Sequence, residues 1–358
     1  VVTPILAIDV IASNHRCYIG RVGTKGTRAG NFAMQNADLL ISIGSRLSVS
    51  VVGHEYNLFA RAAKVIVIDI DAQEHQKKTI AIDTFINADA KDFLRCFFTS
   101  LKGRKFASHS AWLRKCRSWK KRYPVCLPEY KSKIGRVNFY YFMEVLNKKN
   151  VDGLTVIADA GSTFYVVSQA VDIKYRQRYI TSGALATMGF SIPAAVGASI
   201  ARQAGPVIAI TGDGSFQQNI QELQTIVHYR LPVKLFVINN EGYLSIRQTQ
   251  ERFFNSRLVG EGKSSGVSFP DLKKISSAYG IAYFRADSSC LGRALTEIMK
   301  CSGPVICEVF TLTDQPVVPS NTAQIMPDGT MVSKPLEDMY PFLDRGEFLN
   351  NMIVKAED

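Results

Sequence analysis

No stretch of this 358-residue chain is apolar for the roughly 18 to 20 residues that a membrane-crossing helix needs. No basic, apolar and small-residue leader opens it, and its first residue is Val rather than Met. The opening Val1-Val2-Thr3-Pro4-Ile5-Leu6-Ala7-Ile8 reads as a buried strand entered without cap or turn, so a fragment with its natural beginning missing is expected. There is no Cys-x-x-Cys pair. Cys17, Cys96, Cys116, Cys126, Cys290, Cys301 and Cys307 stand singly, which argues against a zinc or dithiol redox centre. An odd cysteine count without a leader suits a reducing compartment, so a cytoplasmic location and no membrane partner are expected. Solenoid repeats and low-complexity tracts are missing too.

Acidic residues are scarce where basic ones crowd. The net charge is +12, and residues 101–133 hold eleven Lys and Arg against the single acid Glu129. Such a stretch can contact nucleic acid. However, Trp112, Cys116, Trp119 and Tyr123 fall at helical spacing with basic residues between them. An amphipathic linker helix with a packed aromatic face explains this better, and no nucleic-acid partner is expected.

Elsewhere, short apolar runs ended by turn residues alternate with helical stretches, the pattern of a parallel sheet covered by helices. Leu39 to Ile43 ends at Gly44, Val65 to Ile68 at Asp69-Ile70-Asp71, and a short strand near Phe85-Ile86 at Asn87-Ala88-Asp89. A second series follows with Leu154 to Ala158, Val207 to Thr211, Val233 to Ile238 and Val305 to Phe310. The expected fold is α/β with two doubly wound parallel-sheet domains. Residues 1–100 form the first, 101–135 a basic linker helix, and 136–358 the second with a C-terminal tail.

One segment carries chemistry. The strand Val207 to Thr211 stops at Gly212-Asp213-Gly214, and a helix is expected at once through Ser215 and Phe216. Glycines there let the backbone turn and approach a ligand. Asp213 puts a hard oxygen at the carboxyl end of a strand, the usual ligand edge of such sheets. A helix N-terminus offers free N–H groups to a phosphate. A crossover then returns the chain through Val233 to Ile238, so that Asn239-Asn240 can lie beside Asp213. One carboxylate, one amide oxygen and a carbonyl such as that of Gly242 would give three protein oxygens for Mg²⁺. Phosphate oxygens and water would complete its octahedron. Alone, Gly-Asp-Gly is most often a plain turn; followed by a strand ending in Asn-Asn it resembles the thiamine-diphosphate-binding motif.

Together with Thr181-Ser182-Gly183-Ala184-Leu185-Ala186-Thr187-Met188-Gly189-Phe190, this segment resembles the large catalytic subunit of acetolactate synthase and its relatives. The resemblance extends over nearly the whole chain. Gly23 to Thr27, Asn31, Ala37 to Leu40 and Gly44-Ser45-Arg46 are similar to that family's central domain.

The resemblance implies thiamine diphosphate and Mg²⁺ as cofactors, with Asp213, Asn240 and the main-chain oxygen of Gly242 on the metal. It implies Gly212, Gly214, Ser215, Ser162 and Thr163 at the diphosphate, and Met188 as the wedge beneath the cofactor; ordinary core packing is the other reading of that methionine. The substrates implied are a 2-oxo acid such as pyruvate and a second carbonyl acceptor, in a homodimer or homotetramer. The central domain binds FAD in some relatives and not in others. Gly44 and Arg46 match a flavin-contacting turn, and Asp69, Asp71 and Asp89 end strands where ribose contacts occur, although such acids also serve as helix caps.

Two departures bear on substrate. Gln218 and Thr249 replace the family's usual methionine and tryptophan, which makes the channel more polar or more open and leaves room for an acceptor larger than pyruvate, such as a sugar nucleotide. The glutamate that activates the cofactor is not matched by Glu144 or Glu222, so the chain alone is expected to be inactive. A non-catalytic nucleotide-binding protein is the competing expectation.

Overall fold

A parallel strand buried on both faces reads as an unbroken apolar run, and each such run is a strand in the computed structural model, which describes residues 1–132, 134–325 and 331–356. The chain divides into two compact units. The first comprises Val1–Ile5, Cys17–Pro124 and Val318–Asp358; the second comprises Leu6–Arg16 and Val125–Val317. These units differ from the contiguous blocks 1–100, 101–135 and 136–358 read from the sequence. The basic helix and the C-terminal tail both belong with the first unit, and a short N-terminal stretch belongs with the second.

In the first unit, α1 (Arg28–Gln35) begins at Thr27, whose hydroxyl accepts the Gly30 N–H at 3.2 Å. Three parallel strands follow, β1 (Leu39–Ile43), β2 (Lys64–Asp69) and β3 (Thr84–Asn87), with β2 in the middle. Val65 and Val67 pack with Met34, Val52, Phe59 and Leu336. After α2 (Ala90–Leu101) comes the basic helix α3 (Ser110–Arg122). Its apolar stripe is internal: Cys116 and Trp119 are buried, and Trp119 stacks on Phe32 at 5.6 Å. The Trp119 indole N–H donates to Asn351 at 2.8 Å, giving the buried ring a polar partner. The long strand expected at the start of the chain is cut to Val2–Thr3, paired with Gly20–Arg21, before a 3₁₀ turn at Ile5–Ala7. Pro4, which has no N–H to give a ladder, stands between them.

The second unit opens with α4 (Phe139–Asn147) and continues through β4 (Thr155–Ala158), α5 (Ser162–Ala170), β5 (Arg178–Ile180), α6 (Ser191–Ala201), β6 (Val207–Gly212), α7 (Glu222–His228) and β7 (Val233–Asn239). Next come α8 (Leu244–Phe253), α9 (Leu272–Ala278), β8 (Ala282–Ala286), α10 (Leu291–Lys300) and β9 (Val305–Phe310). All six strands are parallel, in the order β8-β9-β7-β6-β4-β5. Alternate residues face opposite sides. Ile208, Ile210, Phe236 and Ile238 meet α4, α5 and α10, while Val207, Ala209, Leu235 and Val237 meet α6, α7 and α9. This unit is therefore doubly wound. From β4 the chain steps one way to β5 and the other way to β6, so the strand order reverses between β4 and β6. Ligands of open parallel sheets sit at the carboxyl ends of strands beside such a reversal.

Candidate functional site at the carboxyl ends of the central strands

The Gly-Asp-Gly turn lies at that reversal. β6 ends at Gly212, and a single helical turn, Asp213–Phe216, follows directly. Asp213 is 5 % exposed. One carboxylate oxygen accepts the Gly214 N–H at 2.8 Å, and the other accepts the N–H groups of Asn240 and Gly242, each at 3.2 Å. The crossover thus brings Asn240 and Gly242 onto Asp213 across 27 and 29 positions. Burial pushes the Asp213 carboxyl up to about 6, and the backbone donors hold it from rising further.

The glycines serve differently from the sequence reading. Gly212 is ordinary extended backbone with φ −85°, so its turn needs no special conformation. Open space lies where its Cβ would be, and a ligand can approach there. Gly214 is required by packing, since a Cβ would lie 2.1 Å from the Tyr243 ring. The helix is also short, one turn before a 3₁₀ segment at Gln217–Asn219, so its dipole is smaller than a full helix would provide.

The loop after β7 is built under constraint. Glu241 has φ +60° and Gly242 φ +147°, and a Cβ on Gly242 would meet the Glu261 carbonyl at 2.1 Å. Left-handed backbone at a non-glycine is costly and persists where the surroundings hold it. Those surroundings are polar. The Asn239 amide donates to Glu308 at 2.6 Å, and Asn239 Oδ1 accepts the Glu241 N–H at 3.2 Å. Arg247 donates to Glu261 at 2.5 Å and to the Glu241 carbonyl at 3.1 Å, and the Glu261 carbonyl accepts the Tyr243 N–H at 2.7 Å. Arg247 and Glu261 were not singled out by the sequence.

Asn240 is 5 % exposed, and its side-chain oxygen has no hydrogen-bond partner among the described residues. An orphaned buried acceptor beside a carboxylate fits a cation. Among the described residues no three His, Cys, Asp or Glu gather into a cation site. One carboxylate and one amide oxygen suit a hard cation that brings further oxygens with its ligand, as Mg²⁺ does with a diphosphate.

The other expected residues divide. Met188 is 37 % exposed and lies outside the buried core of the second unit. Ser215 is buried under the same turn, and Ser162 starts α5 after Gly161. Thr163 is 1 % exposed and its hydroxyl donates to the Ala160 carbonyl, so it braces the turn rather than facing outward. Asp159, at the start of the same turn, is fully buried and bound to three segments.

In the first unit, Gly44, Asp69 and Asp89 all stand at the carboxyl ends of the three strands. Gly44 has φ +59° and donates to the Ile68 carbonyl at 2.8 Å. The acids are occupied locally: Asp69 accepts the Asp71 N–H and pairs with His75, and Asp89 caps α2 through Lys91 and Asp92. Arg46, with an exposed side chain, pairs with Glu74 at 3.0 Å. Asp89 thus serves as the N-cap of α2, while Asp69 accepts a turn N–H at the end of β2.

Residues 159–309 match the C-terminal TPP-binding domain of thiamine pyrophosphate enzymes, and residues 1–97 match their central domain. The acetolactate synthase large subunit of Cyanidium caldarium is 33 % identical over 308 residues, covering 84 % of this chain and 51 % of that protein. Acetolactate synthase isozyme 2 large subunit of Escherichia coli (strain K12) is 31 % identical over 335 residues, covering 93 % of this chain and 57 % of its own length. A probable acetolactate synthase large subunit of Methanococcus aeolicus gives 31 % over 352 residues, covering 93 % and 56 %. The chain spans about half the length of these curated relatives. Its central and C-terminal domains, its parallel sheets and its Gly-Asp-Gly and Asn-Asn turns place it in the thiamine pyrophosphate enzyme family, with the acetolactate synthase large subunits.

Proposed function

We propose that this chain holds thiamine diphosphate and Mg²⁺ for a 2-oxo-acid decarboxylase or carboligase of acetolactate synthase type. The observation that carries the reading is the buried Asn240 Oδ1, without a partner among the described residues, beside the Asp213 carboxylate at the sheet's reversal point. Asp213, Asn240 and the Gly242 carbonyl would hold the metal. Gly212, Gly214, Ser215 and Ser162 would meet the diphosphate, and the exposed Met188 would support the cofactor from below. When bound, thiamine diphosphate supplies a carbon nucleophile and an electron sink for loss of CO₂ from a 2-oxo acid such as pyruvate. The chain's own residues bind and orient it and limit water around the diphosphate.

A second carbonyl acceptor larger than pyruvate, such as a sugar nucleotide, is the alternative reading. Thr249 supports this: it is exposed on α8, with its hydroxyl turned back to the Ser245 carbonyl at 2.8 Å. The activating carboxylate is read as external to the 358 residues. Glu144 is taken up by Lys131 and Lys148, and Glu222 by Thr225. The 358 residues alone are therefore read as inactive, and a homodimer or homotetramer is proposed on the family resemblance. The seven free cysteines suit a cytoplasmic setting, and among the described residues no helix is long and apolar enough to cross a membrane.

Calorimetry tests the reading. Mg²⁺-dependent uptake of thiamine diphosphate, abolished by Asp213→Ala, is expected; no heat at millimolar cofactor would overturn it. A non-catalytic nucleotide-binding protein would instead take up ADP with no preference for thiamine diphosphate. FAD in the first unit is a separate proposal resting on Gly44 and Arg46, and flavin absorbance in the purified protein decides it.

A further inference from the structure

Asp159 ends β4, is fully buried, and accepts hydrogen bonds from three separate parts of the chain. Its Oδ1 receives the N–H groups of Ala160 and Gly189, each at 2.9 Å. Its Oδ2 receives the Ser191 N–H at 2.9 Å and the Thr211 hydroxyl at 3.2 Å. Four donors converge on one carboxylate, and no Lys, Arg or His forms an ion pair with it among the described residues. Donors on both oxygens satisfy the acceptor capacity of a carboxylate held inside a protein.

The donors show what the carboxylate joins. Gly189 and Ser191 flank Phe190, the residue before α6, which supplies no side-chain cap of its own. Asp159 therefore caps α6 from another strand, placing negative charge at that helix's N-terminus. Thr211 immediately precedes Gly212-Asp213 on β6. Gly189 is itself tight, with φ +79° and a position where a Cβ would come 2.5 Å from the Gln218 side chain. Its carbonyl accepts the Asn219 amide at 3.0 Å.

We infer that Asp159 is a positioning residue: its carboxylate ties the Met188–Ser191 turn to the end of β6 and so fixes Met188 relative to the Gly212-Asp213 turn. The significance of that spacing rests on the cofactor reading proposed above; the tie itself does not. Asn is a poor replacement. One of its two side-chain atoms becomes an N–H₂ donor. Facing the Ser191 N–H or the Gly189 N–H, it would oppose a second donor, whereas the Thr211 hydroxyl can reverse and accept.

Hydrogen exchange followed by mass spectrometry on the full chain, without any cofactor, tests the tie. In Asp159→Asn the amides of residues 187–191 should exchange at least about tenfold faster than in the wild type, with β7 and β9 unchanged. Thiamine diphosphate affinity, measured by calorimetry with saturating Mg²⁺, should fall in parallel, and Met188→Leu should leave the exchange at 187–191 as it was. If Asp159→Asn does not unfold cooperatively, Thr211→Val serves instead, since it deletes one donor only; faster exchange confined to 187–191 is then expected. Wild-type exchange there in every variant that folds would overturn the inference. A wild-type chain that takes up no thiamine diphosphate would sink the proposed function while leaving the exchange result to decide the tie.

Discussion

Arg247 and Glu261 form a 2.5 Å ion pair behind the Gly242 turn, with side chains 13 % and 4 % exposed. The same guanidinium also donates to the carbonyls of Glu241 and Thr313. One planar fork thus secures three points around a loop whose backbone is strained at Glu241. Breaking one partner of a buried pair leaves an uncompensated charge, which costs roughly 3–5 kcal/mol. Arg247→Ala is expected to lower the thermal midpoint of the second unit clearly. It should also weaken Mg²⁺-dependent cofactor binding about 10- to 100-fold, the usual scale for residues that orient ligating groups. Arg247→Lys should recover little of either, because an ammonium cannot reproduce the fork. Melting curves and calorimetry on the two variants check both parts.

Asn240→Ala should behave in the opposite way. Its side-chain oxygen has no partner among the described residues, so removing it should cost less than about 1 kcal/mol of stability. Mg²⁺-dependent binding should nevertheless fall at least about tenfold if that oxygen is a ligand. A variant with normal stability and normal metal dependence would remove Asn240 from the site.

The pH dependence of the metal-free chain follows from Asp213. Burial raises its folded pKa to about 6, above the unfolded value of about 3.9. A raised carboxyl favours the folded state only while protonated. Stability from this group is therefore full below about pH 4, falls as pH rises towards 6, and is about 3 kcal/mol lower at pH 7. A cation replaces the proton, so Mg²⁺ with cofactor should restore that loss at pH 7. Its affinity should drop about tenfold per unit below pH 6. Thermal melts from pH 4.5 to 8 with and without ligand give both curves, and Asp213→Asn should flatten them.

Gly214→Ala tests the packing role of that glycine. The Tyr243 ring occupies the space a methyl would need, and overpacking of this kind costs about 1–3 kcal/mol. Tyr243→Ala in the same chain should recover most of that stability, measured by urea unfolding. If the double variant is no more stable than Gly214→Ala, the glycine is needed for another reason.

What could be read from the sequence was whatever repeats locally. β6 and β7 are buried on both faces, so their apolar runs stood out, and 27 residues of crossover sufficed to bring Asn240 back to Asp213. The edge strands β5 and β8 were missed. β5 has three residues, and most of β8 is only partly covered, so neither leaves a strong apolar pattern. The supporting shell was unreadable for a different reason. Asp159 meets partners 30, 32 and 52 positions away, and Glu261 reaches Arg247 across 14, separations that no local spacing rule connects. Thr163 shows the converse: a hydroxyl of the right type in the right turn is spent on the Ala160 carbonyl.

The chain passes between its two units at four places, because Leu6–Arg16 joins one and Val318–Asp358 the other. Ile8, 1 % exposed, is part of the second unit's core; Asp9 pairs with Arg178, and Ser13 bonds to Ile173. A clone of residues 125–317 would therefore lack a plug from its own interior, and one of residues 1–124 would lack Leu336 and Phe348. Two modules interlaced in this manner cannot be shuffled or dissected by one cut in the gene. A recombinant half would need its distant piece grafted on through a linker before its folding could be judged.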